Sequence, residues 1–408
     1  MTLEANDNGA DTTALQQDEQ PSQQSIAAED KWEELSSSTA SSRGGRRTTM
    51  AATTINKQET SPNLKTITLA LCDLPSSSSN SSAIQAIRNN PSLETVKLVP
   101  VRQRRRRHKR NKSQCSISLA TLETILKAVA ENPTIHTLVL RHLHFAQDEP
   151  CCDDSACLPT LRTTKSSMTI RNLALHSCST AVVVGILQAF SSMSTTSLLQ
   201  SVHLVAPEKI TTSELQAVAR LLSKSACTRL CLRGNWQSDC STCFAEQAEL
   251  FFHLQHLELY PHYLKDYDDP TSGALPLETL TRVVQLAPAL QSLSVWNWKW
   301  TSAQLQDLAT AVVAQQQPPT LQRPSITNTT RNEELPTQAW QMLSTRLQLL
   351  DLQGFLVLDM EPEMLSQTLQ QEPNNTLVSL TLKRCFLTAE HVVALLDAVA
   401  LSNSFTNS

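Results

Sequence analysis

The chain runs to 408 residues, 40% of them hydrophobic, enough for two or three ordinary domains or one long repeat array. Its formal charge of −4 excludes a global attraction to nucleic acid or membranes, and its best apolar run, AVVVGILQAF at 181–190, is too short to span a bilayer. The opening MTLEANDNGADTTALQQDEQ has neither a basic start nor an apolar stretch, so it is no secretory signal; the eleven cysteines read as reduced thiols of an intracellular protein.

Residues 1–60 are rich in Ser, Thr, Gln and Asp and show little apolar periodicity. Such a segment cannot bury enough surface to offset its ordering entropy. A disordered tail is expected, with at most a short helix at AAEDKWEEL (27–35).

From residue 61 one pattern recurs, apolar-x-x-apolar-x-apolar. It begins at Leu64 (LKTITLALCDL), Leu93 (LETVKLVPV), Ile135 (IHTLVLRHLHF), Ile170 (IRNLALHSC) and Leu199 (LQSVHLVAP). It returns at Cys227 (CTRLCLRGN), Leu254 (LQHLELYPHYL), Leu290 (LQSLSVWNWKW), Leu347 (LQLLDLQGFLV) and Leu377 (LVSLTLKRCFL). Helix-like stretches lie between, such as TSELQAVARLLSKS at 212–225 and LETLTRVVQLAP at 277–288. The undisturbed intervals are 29 residues (64 to 93, and 170 to 199), 28 (199 to 227), 27 (227 to 254) and 30 (347 to 377). A fixed period of this size marks a solenoid of strand–helix units, each burying its apolar face only against its neighbours.

The register resembles the leucine-rich repeat L-x-x-L-x-L-x-x-N/C-x-L, and the period and helices are similar to those of the ribonuclease-inhibitor-like subfamily. The resemblance covers about residues 62–402. It implies an α/β solenoid, a horseshoe with a parallel sheet on the concave side and helices on the convex side, over residues 61–408 in ten to eleven repeats. Cys72, Cys178, Asn235 and Cys385 fill the N/C slot of that pattern. Val101, Leu143, Pro207, His262, Trp298 and Phe355 depart from it, which puts the side-chain-to-backbone ladder in question at those turns. The long interval from 93 to 135 holds a basic insertion at 102–114, RQRRRRHKRNKSQ. A degenerate repeat is expected at 315–335, with a gap in the sheet or local disorder there. Pro324 stands where the second leucine of LQRPSIT belongs, and proline removes a ladder donor. The final helix, 389–400, is followed by ALSNSFTNS where a further strand is due; either that helix closes the array or more chain follows.

Three of the six tryptophans stand on alternate positions, Trp296, Trp298 and Trp300. A stacking platform for nucleic-acid bases is one reading. The repeat register gives another: Trp298 takes the N/C slot and Trp300 the next leucine slot, both inward, while Trp296 points outward. The outward position after the third apolar slot is Arg233, then Tyr260, then Trp296 in three successive repeats, with Arg229, His256 and Glu258 on adjacent outward rows. Arg, Tyr and Trp are the types most enriched in interface hot spots, so these six are the candidate partner-binding residues. The plainer reading is a cross-strand cluster that only shields itself.

Arg104, Arg105, Arg106, Arg107, Lys109 and Arg110 form a polybasic run suited to an import receptor or an acidic partner. No base-reading module accompanies it, so nucleic-acid recognition is not expected. His142, His144, Cys151, Cys152 and Cys157 are types suited to zinc but lack paired ligand spacing, and Cys240–Cys243 is a lone CxxC without a redox context. With only seven glycines, neither GxGxxG nor GxxxxGK[ST] occurs, and GxSxG and HExxH are missing too. The reading is therefore a non-catalytic protein-interaction scaffold without cofactor or metal, binding protein partners on the concave face. It is placed in the cytoplasm, with nuclear import if the polybasic run is a signal. Two alternatives stand beside it: a GTPase-activating or ubiquitin-adaptor regulator, roles some ribonuclease-inhibitor-like proteins have, and a nuclear factor contacting nucleic acid or acidic partners through the polybasic loop.

Overall fold

The computed structural model describes residues 2–3, 64–71, 80–100, 115–145, 168–192, 198–236, 251–260, 277–287, 289–298, 300–314, 321–328, 334–357, 360–370 and 377–405, with isolated positions between 240 and 247. The strands, in chain order, are β1 (Thr2–Leu3), β2 (Thr66–Leu71), β3 (Thr95–Pro100), β4 (Cys115–Ile117), β5 (Thr137–Arg141), β6 (Leu143–Phe145) and β7 (Asn172–His176). They continue as β8 (Ser201–Ile210), β9 (Arg229–Trp236), β10 (His256–Tyr260), β11 (Ser292–Trp298), β12 (Arg323–Asn328), β13 (Leu349–Gln353) and β14 (Ser379–Lys383). Twelve of them form one sheet in the order β1-β14-β13-β12-β11-β10-β9-β8-β7-β5-β3-β2, every pair parallel. From β2 to β14 each repeat strand lies beside the repeat next to it in sequence, so this part of the chain is an α/β leucine-rich-repeat solenoid.

Side chains alternate across each strand, and that alternation builds the core. In β9, Leu230 and Leu232 are buried while Arg229 is exposed and Arg233 half-buried. The same inward slots hold Leu138 and Leu140, Leu173 and Leu175, Leu257 and Leu259, and Leu293 and Val295, all buried. Against them pack the apolar stripes of the intervening helices, among them Leu122, Ile125, Leu126 and Val129 of the helix Leu119–Glu131. Ser118 caps that helix by accepting from Thr121 N, and Thr211 with Glu214 forms a capping box on Thr212–Leu222. Both devices satisfy amide donors that the first helical turn leaves over.

Asparagine closes two of the helix-to-strand turns. Asn132 is buried, and its Nδ2 donates to Ile87 O at 2.6 Å and Asn90 O at 2.9 Å, tying one repeat to the one before. Its Oδ1 accepts from Thr134 N and Thr134 Oγ1, and Asn90 accepts from Ser92 in the same way. The NPxL and NPxI spellings at 90–93 and 132–135 carry this joint.

The turn that leaves a strand repeats after four of them. His142, Ser177, Gly354 and Arg384 follow β5, β7, β13 and β14 with φ of 52°, 51°, 80° and 51°, in the left-handed region. The next residue turns inward: Cys178 donates Sγ–H to Leu140 O and His176 O, each at 3.6 Å, and Cys385 donates to Leu352 O and Lys383 O. Leu143 and Phe355 take the same slot as fully buried apolar side chains, which can make no such bond. The departures foreseen there are thus filled by packing.

The gap expected at 315–335 does not extend to residues 323–328. Those residues form β12, with Leu321 and Ile326 fully buried. Pro324 sits opposite Leu293, while pairing with β13 is confined to Ser325–Thr327, after the proline. The missing amide donor is therefore accommodated by shortening one ladder. A small second sheet, β4 with β6, was not legible in the repeat pattern. The tail to residue 60, apart from Thr2–Leu3, and the basic insertion at 102–114 lie outside the described residues.

Gly234 marks a close approach in the sheet. Between Val205–Arg233 and Lys209–Asn235 the β8 strand carries two extra residues, a bulge that presses it against β9. A Cβ on Gly234 would meet Ile210 Cγ1 at 2.9 Å and Ala206 Cβ at 3.0 Å, and both neighbours are fully buried. Gly234→Ala is expected to destabilise the protein by about 1–3 kcal/mol, the usual cost of overpacking. A urea titration with an unchanged midpoint would show that the bulge yields freely.

Candidate functional site

The sheet register brings the sequence-selected residues together on the outward face. Arg229 pairs with His256, Cys231 with Glu258 and Arg233 with Tyr260. Leu259 pairs with Val295, so Tyr260 and Trp296 follow one another across β10 and β11, and their rings stack with centroids 5.7 Å apart and planes 8° from parallel. Arg233, His256, Glu258, Tyr260 and Trp296 are each half-buried and Arg229 is exposed. Tyr260 Oη donates to Glu258 Oε2 at 3.2 Å; burial, then the Glu258 charge, pushes the phenol pKa up. The indole Nε1 of Trp296 has no hydrogen-bond partner. Burial, with Arg229 and Arg323 nearby, lowers the His256 pKa, so that ring is neutral at neutral pH.

Trp300 lies inward and is 3% exposed, as its leucine slot requires. Trp298 ends β11 beyond a register shift.

Following the Arg233 row the other way across the sheet leads to residues the sequence reading did not select. Arg233 pairs with Val205, Val205 with His176, and His176 with Arg141. In the neighbouring row Ala174 pairs with His203, and His203 with Cys231. The rings of His176 and His203 meet edge to face, with centroids 4.7 Å apart. Both are buried, at 8% and 6% exposure, although they stand in outward rows. Burial first, then His203, Arg141, His142 and Arg233, pushes the His176 pKa down to about 2. Burial, then Arg233 and Arg141, pushes that of His203 down to about 3. The pair is neutral throughout the physiological range, and His176 Nε2 lacks a hydrogen-bond partner. The signal for them was present, since Arg141 and His176 occupy the same repeat position as Arg233.

The thiols offer little chemistry. Burial raises the Cys178 and Cys227 pKa values to about 12 and that of Cys231 well above the ordinary thiol range. Cys240 is buried and donates to Ile210 O at 3.1 Å, while Cys243 is half-buried with a raised pKa. Among the described residues no group of three His, Cys, Asp or Glu could hold a metal ion, and no helix is long and apolar enough to cross a membrane. His142 follows β5 and His144 is the middle residue of β6, whereas Cys151, Cys152, Cys157 and the polybasic Arg104–Arg107, Lys109 and Arg110 lie outside the described residues.

No protein-family model matches the sequence, and no curated protein matches it. Among solved structures the chain is similar to the TLR13–ssRNA13 complex, at 13% identity and a TM-score of 0.40, over 83% of this chain and 38% of that one. It is also similar to an internalin, InlF, from Listeria monocytogenes, at 13% identity and a TM-score of 0.33, over 83% of this chain and 66% of that one. The chain thus spans less than two thirds of each. The repeat class rests on the strand order and register above.

Proposed function

We propose that this protein is a non-catalytic interaction scaffold of the ribonuclease-inhibitor-like kind, receiving a protein partner on the outward, concave face of its sheet at Arg229, Arg233, His256, Glu258, Tyr260 and Trp296. The carrying observation is the stacked Tyr260–Trp296 pair beside Arg233, half-buried on the outward face. Aromatic rings and a guanidinium held side by side combine contact area with directional polar groups, the usual makeup of a hot spot. The polybasic run at 104–110 remains a proposed contact for an import receptor or acidic partner.

The test is a double substitution. Tyr260→Ala with Trp296→Ala is expected to keep the circular-dichroism spectrum of the wild type and to weaken the Kd for a partner found by affinity purification at least about tenfold. Unchanged affinity for every purified partner would remove the site.

A further inference from the structure

The charge of the outward face runs against that of the chain. Across the repeat strands its rows carry Lys97, Arg141, Arg229, Arg233, Arg323 and Lys383 against Glu258 and Asp351, a surplus of four positive charges (six minus two) on a chain whose net charge is −4. The surplus is not evenly spread. Arg141 and Arg233 bracket His176, His203 and Val205, a floor of neutral, buried side chains, and the Tyr260–Trp296 stack follows immediately. His176, a member of this row, is more than nine-tenths buried and its Nε2 has no hydrogen-bond partner. With strands about 4.8 Å apart, Arg141 and Arg233 stand three strands, or about 14 Å, from each other, and the aromatic pair begins one strand further on.

We propose that this row is a docking track for an extended acidic peptide segment of a partner protein, running across the strands. An extended chain rises about 3.3 Å per residue, so carboxylates four residues apart project from one side about 13 Å apart and match Arg141 and Arg233. An apolar side chain two residues beyond the second carboxylate reaches the Tyr260–Trp296 stack. Guanidinium groups favour carboxylates through paired charge-assisted hydrogen bonds, and the neutral floor between them adds no competing charge. A nucleic-acid strand fits less well: phosphates need evenly spaced cations, whereas Glu258 interrupts the cationic rows and the two rings already spend one face on each other. This inference rests on the scaffold reading and specifies its partner.

Fluorescence anisotropy on the full chain tests it. The probe is a labelled Gly/Ser peptide with two glutamates four residues apart and a leucine two residues after the second. Saturable binding is expected, weakening as salt is raised, and falling about tenfold when the glutamates are moved to a three-residue spacing or replaced by lysine. Arg141→Gln with Arg233→Gln should give a similar loss with an unchanged circular-dichroism spectrum; the peptide comparisons on the wild type stand even if that variant misfolds. Lack of saturable binding, or equal binding of the lysine peptide, overturns the proposal. Tighter binding of oligouridylate than of the acidic peptide overturns it in favour of a nucleic-acid ligand. A purified partner lost on Tyr260→Ala/Trp296→Ala but kept on Arg141→Gln/Arg233→Gln, with no peptide binding, sinks the acidic track alone. A partner indifferent to both variants sinks the scaffold site beneath it.

Discussion

Trp300→Ala is expected to cost roughly 3–5 kcal/mol, the loss typical of a large aromatic cut out of a packed core. Its side chain is 3% exposed and belongs to the same apolar cluster as Leu290, Leu293 and Leu305. Four residues earlier, Trp296 is half-buried and stacked on Tyr260. Its removal forfeits part of one ring's burial and one aromatic pair, about 1–2 kcal/mol. Urea denaturation of the two single variants measures the difference directly. Equal losses would mean that inward and outward slots are misassigned in this repeat, since a one-residue slip exchanges every side chain between the faces.

Stability should fall steeply below pH 6.5. In the unfolded chain His176 and His203 take up protons near pH 6.5; in the folded protein burial holds their pKa values down to about 2 and about 3. Above pH 6.5 both are neutral in either state and contribute no slope. As the pH drops from there the unfolded chain binds protons that the folded one refuses, so stability is lost at about 1.4 kcal/mol per pH unit for each ring. By pH 5 the pair has removed about 4 kcal/mol, a large part of the 5–15 kcal/mol that holds a domain folded. The partly buried His144 and His256, also lowered, act in the same direction with weaker effect. Glu214 acts in the opposite direction: burial raises its pKa, so its folded form regains stability as falling pH protonates it. Thermal melts between pH 7 and 5 should show the slope, and His176→Gln with His203→Gln should flatten it. A slope retained in that variant would move the origin to other groups.

The fold was legible because the repeat is a local signal. Three apolar slots at spacing 3 and 2, recurring every 27 to 30 residues, give strand positions, inward faces and neighbours together. Arg233, Tyr260 and Trp296 could be placed side by side from that register alone. What it did not convey depends on unequal insertions and on burial. The β4–β6 pair begins in the long 93-to-135 interval, the bulge in β8 sits inside a repeat of ordinary length that gives no sign of it, and Pro324 was read as a break because the ladder it spares is set by its neighbour. The His176–His203 pair was overlooked for a different reason. Outward rows are assigned to solvent by pattern, yet these rings lie buried against each other, and only three dimensions show that. Asn90 and Asn132 stood in a repeated spelling, NPx followed by an apolar residue, that could have been read as a joint between repeats.

The central claim is that a partner lies against the outward face of β9 to β11. Hydroxyl-radical footprinting of the complex with a purified partner tests it most directly, because the same oxidation experiment reports both faces. Tyr260 and Trp296 should lose reactivity on binding, while Met342 and Met364, part-buried on the helices Thr337–Arg346 and Pro362–Gln370, should keep theirs. Protection of the two methionines with Tyr260 and Trp296 unchanged would place the partner on the helical side and contradict the account.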